Sequence, residues 1–283
     1  MTPRTQRRLE GRRAVVVGAG QTPGATIGNG RATAITFARA GADLLLVDRS
    51  ADRLEETVAM IETDEVGADE AGADGHGLGT VRTIVVDITG PDAPDTIVRA
   101  GVEALGGIDI LLNNVGIGHG DGPPHRLADE DYDRIMDVNL RALWRTCRAA
   151  VPELRRSEHG AIVNISSLAA IASAGNLTAY RLSKAGVNTL TTSLAITNAK
   201  YGLRANAIMP GFVDTPMGVD AAAEALGVDR DDYAAERARR VPLGRQGTAW
   251  DVANAALFLA SDDAGWITGV ILPVDGGQSI RIG

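Results

Sequence analysis

The chain is 283 residues long, 45% apolar and 23% charged, with 28 basic against 36 acidic residues and a formal net charge of −8. That is enough apolar chain for one large α/β domain, and the acidic balance argues against nucleic acid or an anionic membrane as the main partner, leaving a small molecule. No apolar stretch near the arginine-rich segment 2–13 could make a signal peptide or a transmembrane helix, so a cytoplasmic protein is expected, with residues 1–10 as a flexible tail. A single cysteine, Cys147, rules out an internal disulfide and lacks spaced partners for zinc, so no metal site is expected. It reads as buried filler in a helical run, whereas His76, His119, His125 and His159 fall in polar or Gly/Pro-rich stretches and read as loop residues.

In chain order, short β-branched or Leu-rich runs alternate with helical patterns. The expected strands are 14–17, 44–47, 81–86, 108–112, 161–165, 204–209 and 270–274. Helices are expected at 30–40, 51–61, 95–105, 131–154, 178–200 and 249–260. Continuous apolar runs suit strands buried on both faces, since a sheet with one wet face would alternate. The pattern predicts a single α/β domain over 1–283, with a Rossmann-type doubly wound parallel sheet of about seven strands flanked by helices. Ligands would bind at the carboxyl ends of its strands.

Two segments stand outside the alternation. Residues 62–80 are acidic and glycine-rich with little to bury, and read as an exposed loop. Residues 212–246, partly helical at 231–240, follow a strand end, where either a substrate lid or ordinary surface helix could lie.

The first strand runs into Gly18-Ala19-Gly20 and, after further residues, Gly28-Asn29-Gly30 at the start of a helix. Glycines in such a turn let backbone amides approach a pyrophosphate, whose charge the helix N-terminus favours. Asp48 closes the second strand, 20 residues after Gly28, where a carboxylate can bind both adenosine ribose hydroxyls and repel the extra phosphate of NADP. NAD is therefore expected as the cofactor. Arg49 is the rival residue, able to meet that phosphate, and a purely structural Asp48 is the other alternative.

Only two of the basic residues are lysines, and Lys184 stands four residues after Tyr180. On a helix this spacing puts ammonium and phenol on one face, and a neighbouring cation favours phenolate. Chance spacing is the competing explanation.

Together these features identify the chain as similar to the short-chain dehydrogenase/reductase family, over about residues 11–277 and with an extended glycine-rich loop. Ser167, thirteen residues before Tyr180, stands where the family has its catalytic serine. Asn113-Asn114-Val115-Gly116 resembles the family's motif after the fourth strand, and Asn139 matches its catalytic asparagine. Pro210-Gly211, Val213 and Thr215 match the segment that closes over the nicotinamide, and Asp87-Ile88 the adenine contact. The resemblance implies cofactor contacts from Gly18, Gly28, Asn29, Gly30, Asn114, Gly116, Tyr180 and Lys184, with Asn139, Ser167, Tyr180 and Lys184 as the catalytic set. Within that set Tyr180 transfers the proton, Lys184 also holds the ribose, and Asn139 either holds a water leading to Lys184 or serves backbone groups alone. A homotetramer built on helices 131–154 and 178–200 is also implied.

The first turn departs from the family's Gly-x-x-x-Gly-x-Gly by six extra residues, and Gly24-x-x-x-Gly28-x-Gly30 offers a second register. Gly18, Gly28 and Gly30 are the favoured set, with residues 21–27 bulging outward. That bulge would either touch the adenosine phosphates through Thr22 or Thr26 or be a tolerated surface insertion. Candidate pocket residues Ile117, Leu168, Phe212 and Met217 are apolar, and no arginine cluster points to a phosphate or carrier group, so an apolar or cyclic ketone or secondary alcohol is expected. The alternatives are an NADPH-dependent 3-oxoacyl-thioester reductase and a non-catalytic nucleotide-binding protein.

Overall fold

The computed structural model describes residues 7–63, 79–172 and 176–281. Its strands are β1 (Arg13–Val17), β2 (Asp43–Asp48), β3 (Val81–Val85), β4 (Ile110–Asn113), β5 (Ala161–Ile165), β6 (Arg204–Pro210), β7 (Val213–Asp214), β8 (Gly247–Thr248) and β9 (Ile271–Val274). Seven of them form one all-parallel sheet in the order β3-β2-β1-β4-β5-β6-β9, while β7 and β8 pair separately. The chain reverses direction of travel between β1 and β4, which opens a crevice at their carboxyl ends.

Both faces of this sheet are covered, as continuous apolar strands require. Along β1, Ala14 and Val16 enter one core with Ile35, Phe37, Val252 and Leu259, while Val15 and Val17 enter another with Ile97, Leu143, Cys147 and Val187. The first core lies under helices α1 (Asn29–Arg39), α2 (Ala51–Thr63) and α9 (Ala249–Ala260); the second lies under α3 (Ala93–Leu105), α5 (Ala142–Leu154) and α6 (Thr178–Asn198). Strand β3, at the sheet edge, is half exposed and carries polar Arg82 and Thr83.

Three expectations change. The helix expected over 131–154 is interrupted: α4 (Asp129–Met136) passes through a π-turn at Asp137–Arg141 before α5 begins. A π-turn inserts one extra residue into the helical ladder, a device found mostly where function needs it. The tail expected over 1–10 is anchored from Arg7 onward, because Leu9 is fully buried and its amide donates to the Ala40 carbonyl. Most of the acidic loop expected at 62–80 lies outside the described residues, as does His76, but Glu62 and Thr63 complete α2.

After β6 the chain makes β7, a π-turn at Pro216–Asp220, α7 (Ala221–Leu226) and α8 (Arg230–Arg239). A capping box between Thr248 and Asp251 then starts α9. Among the described residues no helix is long and apolar enough to cross a membrane.

Candidate active site

The crevice between β1 and β4 is built by close backbone approach. Gly18 has φ +83°, and a Cβ there would lie 2.9 Å from Val115 Cγ2. At Gly30 a Cβ would fall 1.9 Å from the Gly18 carbonyl oxygen and 2.5 Å from Asn114 Nδ2, so no side chain is possible. Asn114 ties the two strands together by donating from Nδ2 to that same carbonyl at 3.2 Å. The first bond inside α1 runs from the Ala32 amide to the Gly28 carbonyl, so the amides of Asn29, Gly30 and Arg31 precede the helical ladder. Asn29 Oδ1 is also buried with no hydrogen-bond partner. A crowded glycine cradle at a helix N-terminus with no acidic residue in its first turn suits a pyrophosphate.

Gly28 itself holds its place differently from expectation. Its amide donates to Gln21 Oε1 at 2.7 Å, and Gln21 Nε2 donates to the Thr26 carbonyl at 3.2 Å. Gln21 thus closes the inserted residues into a braced loop and occupies an amide expected to face phosphate. Residues 22–25 are exposed, as an outward bulge would be, yet the insertion is also tied to the segment after β6. Gly24 lies against Pro216, the Ala25 amide donates to Asp220, and the Thr26 hydroxyl reaches Asp214. Gly24 is therefore a packing glycine, which leaves Gly18 and Gly30 as the cradle.

At the end of β2, Asp48 is half-buried and accepts from the amides of Gly20 at 3.1 Å and Ser50 at 3.2 Å. Gly20 has no room for a side chain, since a Cβ would meet Asp48 Cγ at 2.8 Å. The neighbouring Arg49 is exposed, whereas Arg31 is buried and spent on Thr57, Glu56 and the Arg53 carbonyl. Asp87, exposed after β3, is turned back on Thr89, whose amide and hydroxyl hold its carboxyl below the usual range, while Ile88 is buried.

The side chains expected to react converge where β5 and α6 meet. Ser167 follows β5, with its Oγ accepting from the Ala169 amide at 3.2 Å as the cap of a short 3-10 turn. Tyr180 and Lys184 share one face of α6, with Nζ 5.7 Å from the phenol ring centre. Burial pushes the phenol above its usual value, and a hydrogen bond from Ser167 opposes that rise. The phenol is thus raised, not lowered as a neighbouring cation alone would have it, with desolvation the larger cause. Lys184, only 2% exposed, donates from Nζ to the Ile165 carbonyl at 2.9 Å, and burial lowers its pKa to about 8. At pH 7 the ammonium still outnumbers the amine by roughly ten to one. Gly116 faces it closely, a Cβ there lying 3.1 Å from Nζ.

Asn139 occupies the π-turn, fully buried. Its Oδ1 accepts from the Ile117 amide at 2.8 Å, and its Nδ2 donates to the Ile117 carbonyl at 2.9 Å and the Ser183 hydroxyl at 3.1 Å. Its side chain serves the Ile117 backbone and the Ser183 hydroxyl, and Oδ1 keeps a second lone pair beside Gly116. Asn113, the other asparagine of that motif, is buried and bonded to Asn164 at 2.9 Å within the core.

Pro210 ends β6, and Gly211 is wedged against Asp275, where a Cβ would come within 2.7 Å of that side chain. Val213 is buried in β7, and Thr215 caps the following π-turn by accepting from Gly218 at 3.1 Å. Among the pocket candidates Leu168 is buried and Met217 exposed, while Phe212 is covered by the guanidinium groups of Arg237 and Arg240 at 4.1 and 5.1 Å. Two arginines thus stack on this segment, and Arg237 spends its Nε on Gln246.

Sequence reasoning missed Asp121. Its carboxylate accepts from the amides of Gly122, Ala179 and Tyr180 at 2.8, 3.1 and 2.8 Å, capping α6 at the residue that carries the phenol. Helix α6 has no side-chain cap of its own, and Thr178 closes the joint by donating to the Gly122 carbonyl at 2.7 Å. An Asp in a Gly/Pro-rich stretch was the available signal, but nothing in the spacing links it to a helix 58 residues on.

Residues 24–279 match the family described as Enoyl-(Acyl carrier protein) reductase. The 3-oxoacyl-(acyl-carrier-protein) reductase FabG of Thermotoga maritima is 35% identical over 279 residues, covering 96% of this chain and 100% of its own. Levodione reductase of Leifsonia aquatica is 34% identical over 253 residues, 89% of this chain and 90% of that one. Among solved structures, carveol dehydrogenase from Mycobacterium avium in complex with NAD has a TM-score of 0.85 at 28% identity, covering 97% of this chain and 99% of that one. Likeness over nearly the whole chain, in sequence and in fold, shows that it belongs to the short-chain dehydrogenase/reductase family, oxidoreductases that bind a nicotinamide cofactor.

Proposed function

We propose that the protein interconverts a secondary alcohol and a ketone using NAD(H), on an apolar or cyclic substrate. The observation that carries this reading is the Tyr180 phenol, beside Ser167 and one helical turn from the buried Lys184, with Gly118 and Gly116 against the two side chains. When bound, the nicotinamide supplies the hydride acceptor or donor. Tyr180 Oη takes the hydroxyl proton of the alcohol, and returns it to the ketone oxygen in reverse. Ser167 donates a hydrogen bond to that oxygen, where negative charge accumulates. Lys184 places a positive charge on the same helical face, and Asn139 holds the Ile117 backbone that borders the pocket.

The cradle amides of α1 and Gly18 would hold the pyrophosphate, and Asp48 the adenosine ribose. The two backbone donors on Asp48 leave lone pairs for the ribose hydroxyls, and its charge opposes a further phosphate. The NAD bound to the related carveol dehydrogenase supports that choice. Relatives named for levodione and carveol support a ring substrate. A homotetramer through α4–α5 and α6 accords with exposed Trp144, Leu182 and Ile196 on those helices, and a one-subunit mass in solution would contradict it.

The second reading, an NADPH-dependent reduction of a 3-oxoacyl thioester, is favoured by the likeness to FabG and by exposed Arg49 next to Asp48. A screen of secondary alcohols and cyclic ketones in both directions separates them. We expect kcat/KM with NADH at least tenfold above that with NADPH, and Tyr180→Phe lowering kcat by about 10²–10⁴-fold. A preference for NADPH would transfer support to the thioester reading, and dinucleotide binding without turnover on any panel member would leave a binding protein.

A further inference from the structure

The insertion in the cofactor loop reaches the segment after β6 through four contacts. Gly24 lies so close to Pro216 that an added Cβ would be 2.6 Å from its Cβ and 2.9 Å from its Cγ. The Ala25 amide donates to Asp220 Oδ1 at 2.8 Å, and the Thr26 hydroxyl donates to the Asp214 carbonyl at 3.3 Å and its carboxylate at 3.4 Å. On the far side Arg230 clasps the same two aspartates, with Nη2 2.5 Å from Asp214 Oδ1 and Nε 3.5 Å from Asp220 Oδ1. Both ends of the insertion are fixed. Gln21 braces it from within, and it lies in the chain between Gly18 and Gly30, the two glycines of the pyrophosphate cradle.

We propose that residues 22–27 are a strap fastening the lid segment 213–220 to the cofactor loop, and that its unfastening lets the dinucleotide leave. This rests on the dinucleotide reading above. Pro216 and Thr215 belong to the stretch that follows β6 at the ligand edge of the sheet, so holding them against Gly24 closes the site between the two segments. The fastening is releasable. One short hydrogen bond and two long ones join the segments directly, and Asp220 Oδ2 and Arg230 Nε are buried without a hydrogen-bond partner. A joint with unsatisfied polar atoms belongs to the low-stability end of a structure, where opening can occur during turnover.

Gly24→Ala separates the segments sterically while leaving every polar contact group in place, and Asp220→Ala removes the Ala25 acceptor. NADH release is measured by stopped-flow fluorescence, and amide hydrogen exchange over 215–220 is measured in the protein without dinucleotide. We expect both variants to release NADH five- to tenfold faster, with faster exchange at 215–220 and unchanged exchange in β1 and β4. Release within twofold of wild type in both variants, or unchanged exchange at 215–220, overturns the strap. If the wild-type protein binds no NADH, the functional reading fails, and exchange at 215–220 in the two variants decides the fastening by itself.

Discussion

Asn139 and Ile117 exchange two hydrogen bonds, Nδ2 to the Ile117 carbonyl at 2.9 Å and the Ile117 amide to Oδ1 at 2.8 Å. An asparagine amide here takes the place of a neighbouring strand, because the chain after β4 leaves the sheet at this point and its backbone groups need partners. The Asn139→Ala variant strands both Ile117 groups and removes one donor to the Ser183 hydroxyl, which keeps its bond to the Tyr180 carbonyl. We expect a loss of about 2–4 kcal/mol in urea unfolding, together with at least tenfold lower kcat. Asn139→Asp keeps the acceptor and loses the donor, and should fall between the two; wild-type stability in either variant would contradict this role.

Asp121 links the loop after β4 to the first turn of α6. Truncation to Ala removes a charged cap at a helix N-terminus, worth about 1–2 kcal/mol. Because one of the freed amides is that of Tyr180, the fall in kcat should exceed any change in KM for the dinucleotide. Equal changes in both parameters would reduce Asp121 to a general stabiliser. Asp121→Asn, which retains one acceptor oxygen, should recover part of the lost rate.

Lys184 makes stability depend on pH in a definite direction. Its pKa falls from 10.5 to about 8 by burial, so between those values the unfolded chain binds more protons than the folded one. Stability attributable to Lys184 therefore rises with pH through that window, and its burial penalty is complete below pH 8. Comparing wild type with Lys184→Met cancels the other titrating groups. The stability difference should move in favour of wild type by on the order of 3 kcal/mol between pH 7 and pH 10.5. Parallel stability curves over that range would mean that Lys184 titrates normally.

The sheet was legible because parallel strands buried on both faces leave uninterrupted apolar runs, and all seven expected runs lie in it. The Tyr180 and Lys184 pair was legible because helical spacing is local. What could not be read is long-range or backbone-made. The π-turn at Asp137–Arg141 leaves the hydrophobic period of the run almost unchanged, so its residues looked like continuous helix. Gly20 donates its own amide to Asp48, and Asp121 and Gln21 accept from backbone amides, so the donating end of each bond carries no side-chain signature. Leu9 was assigned to a tail because one apolar residue among arginines gives no period to detect.

The contact between Gly24 and Pro216 also limits how this protein can be re-engineered. Since neither residue can change size without moving the other, the inserted loop and the segment after β6 form one cassette. A chimera that imports a different segment for residues 213–230 while keeping 22–27 would leave the Ala25 amide without Asp220 and the Thr26 hydroxyl without Asp214. Exchanging the segment after β6 in this chain therefore requires moving two stretches 195 residues apart as a single unit.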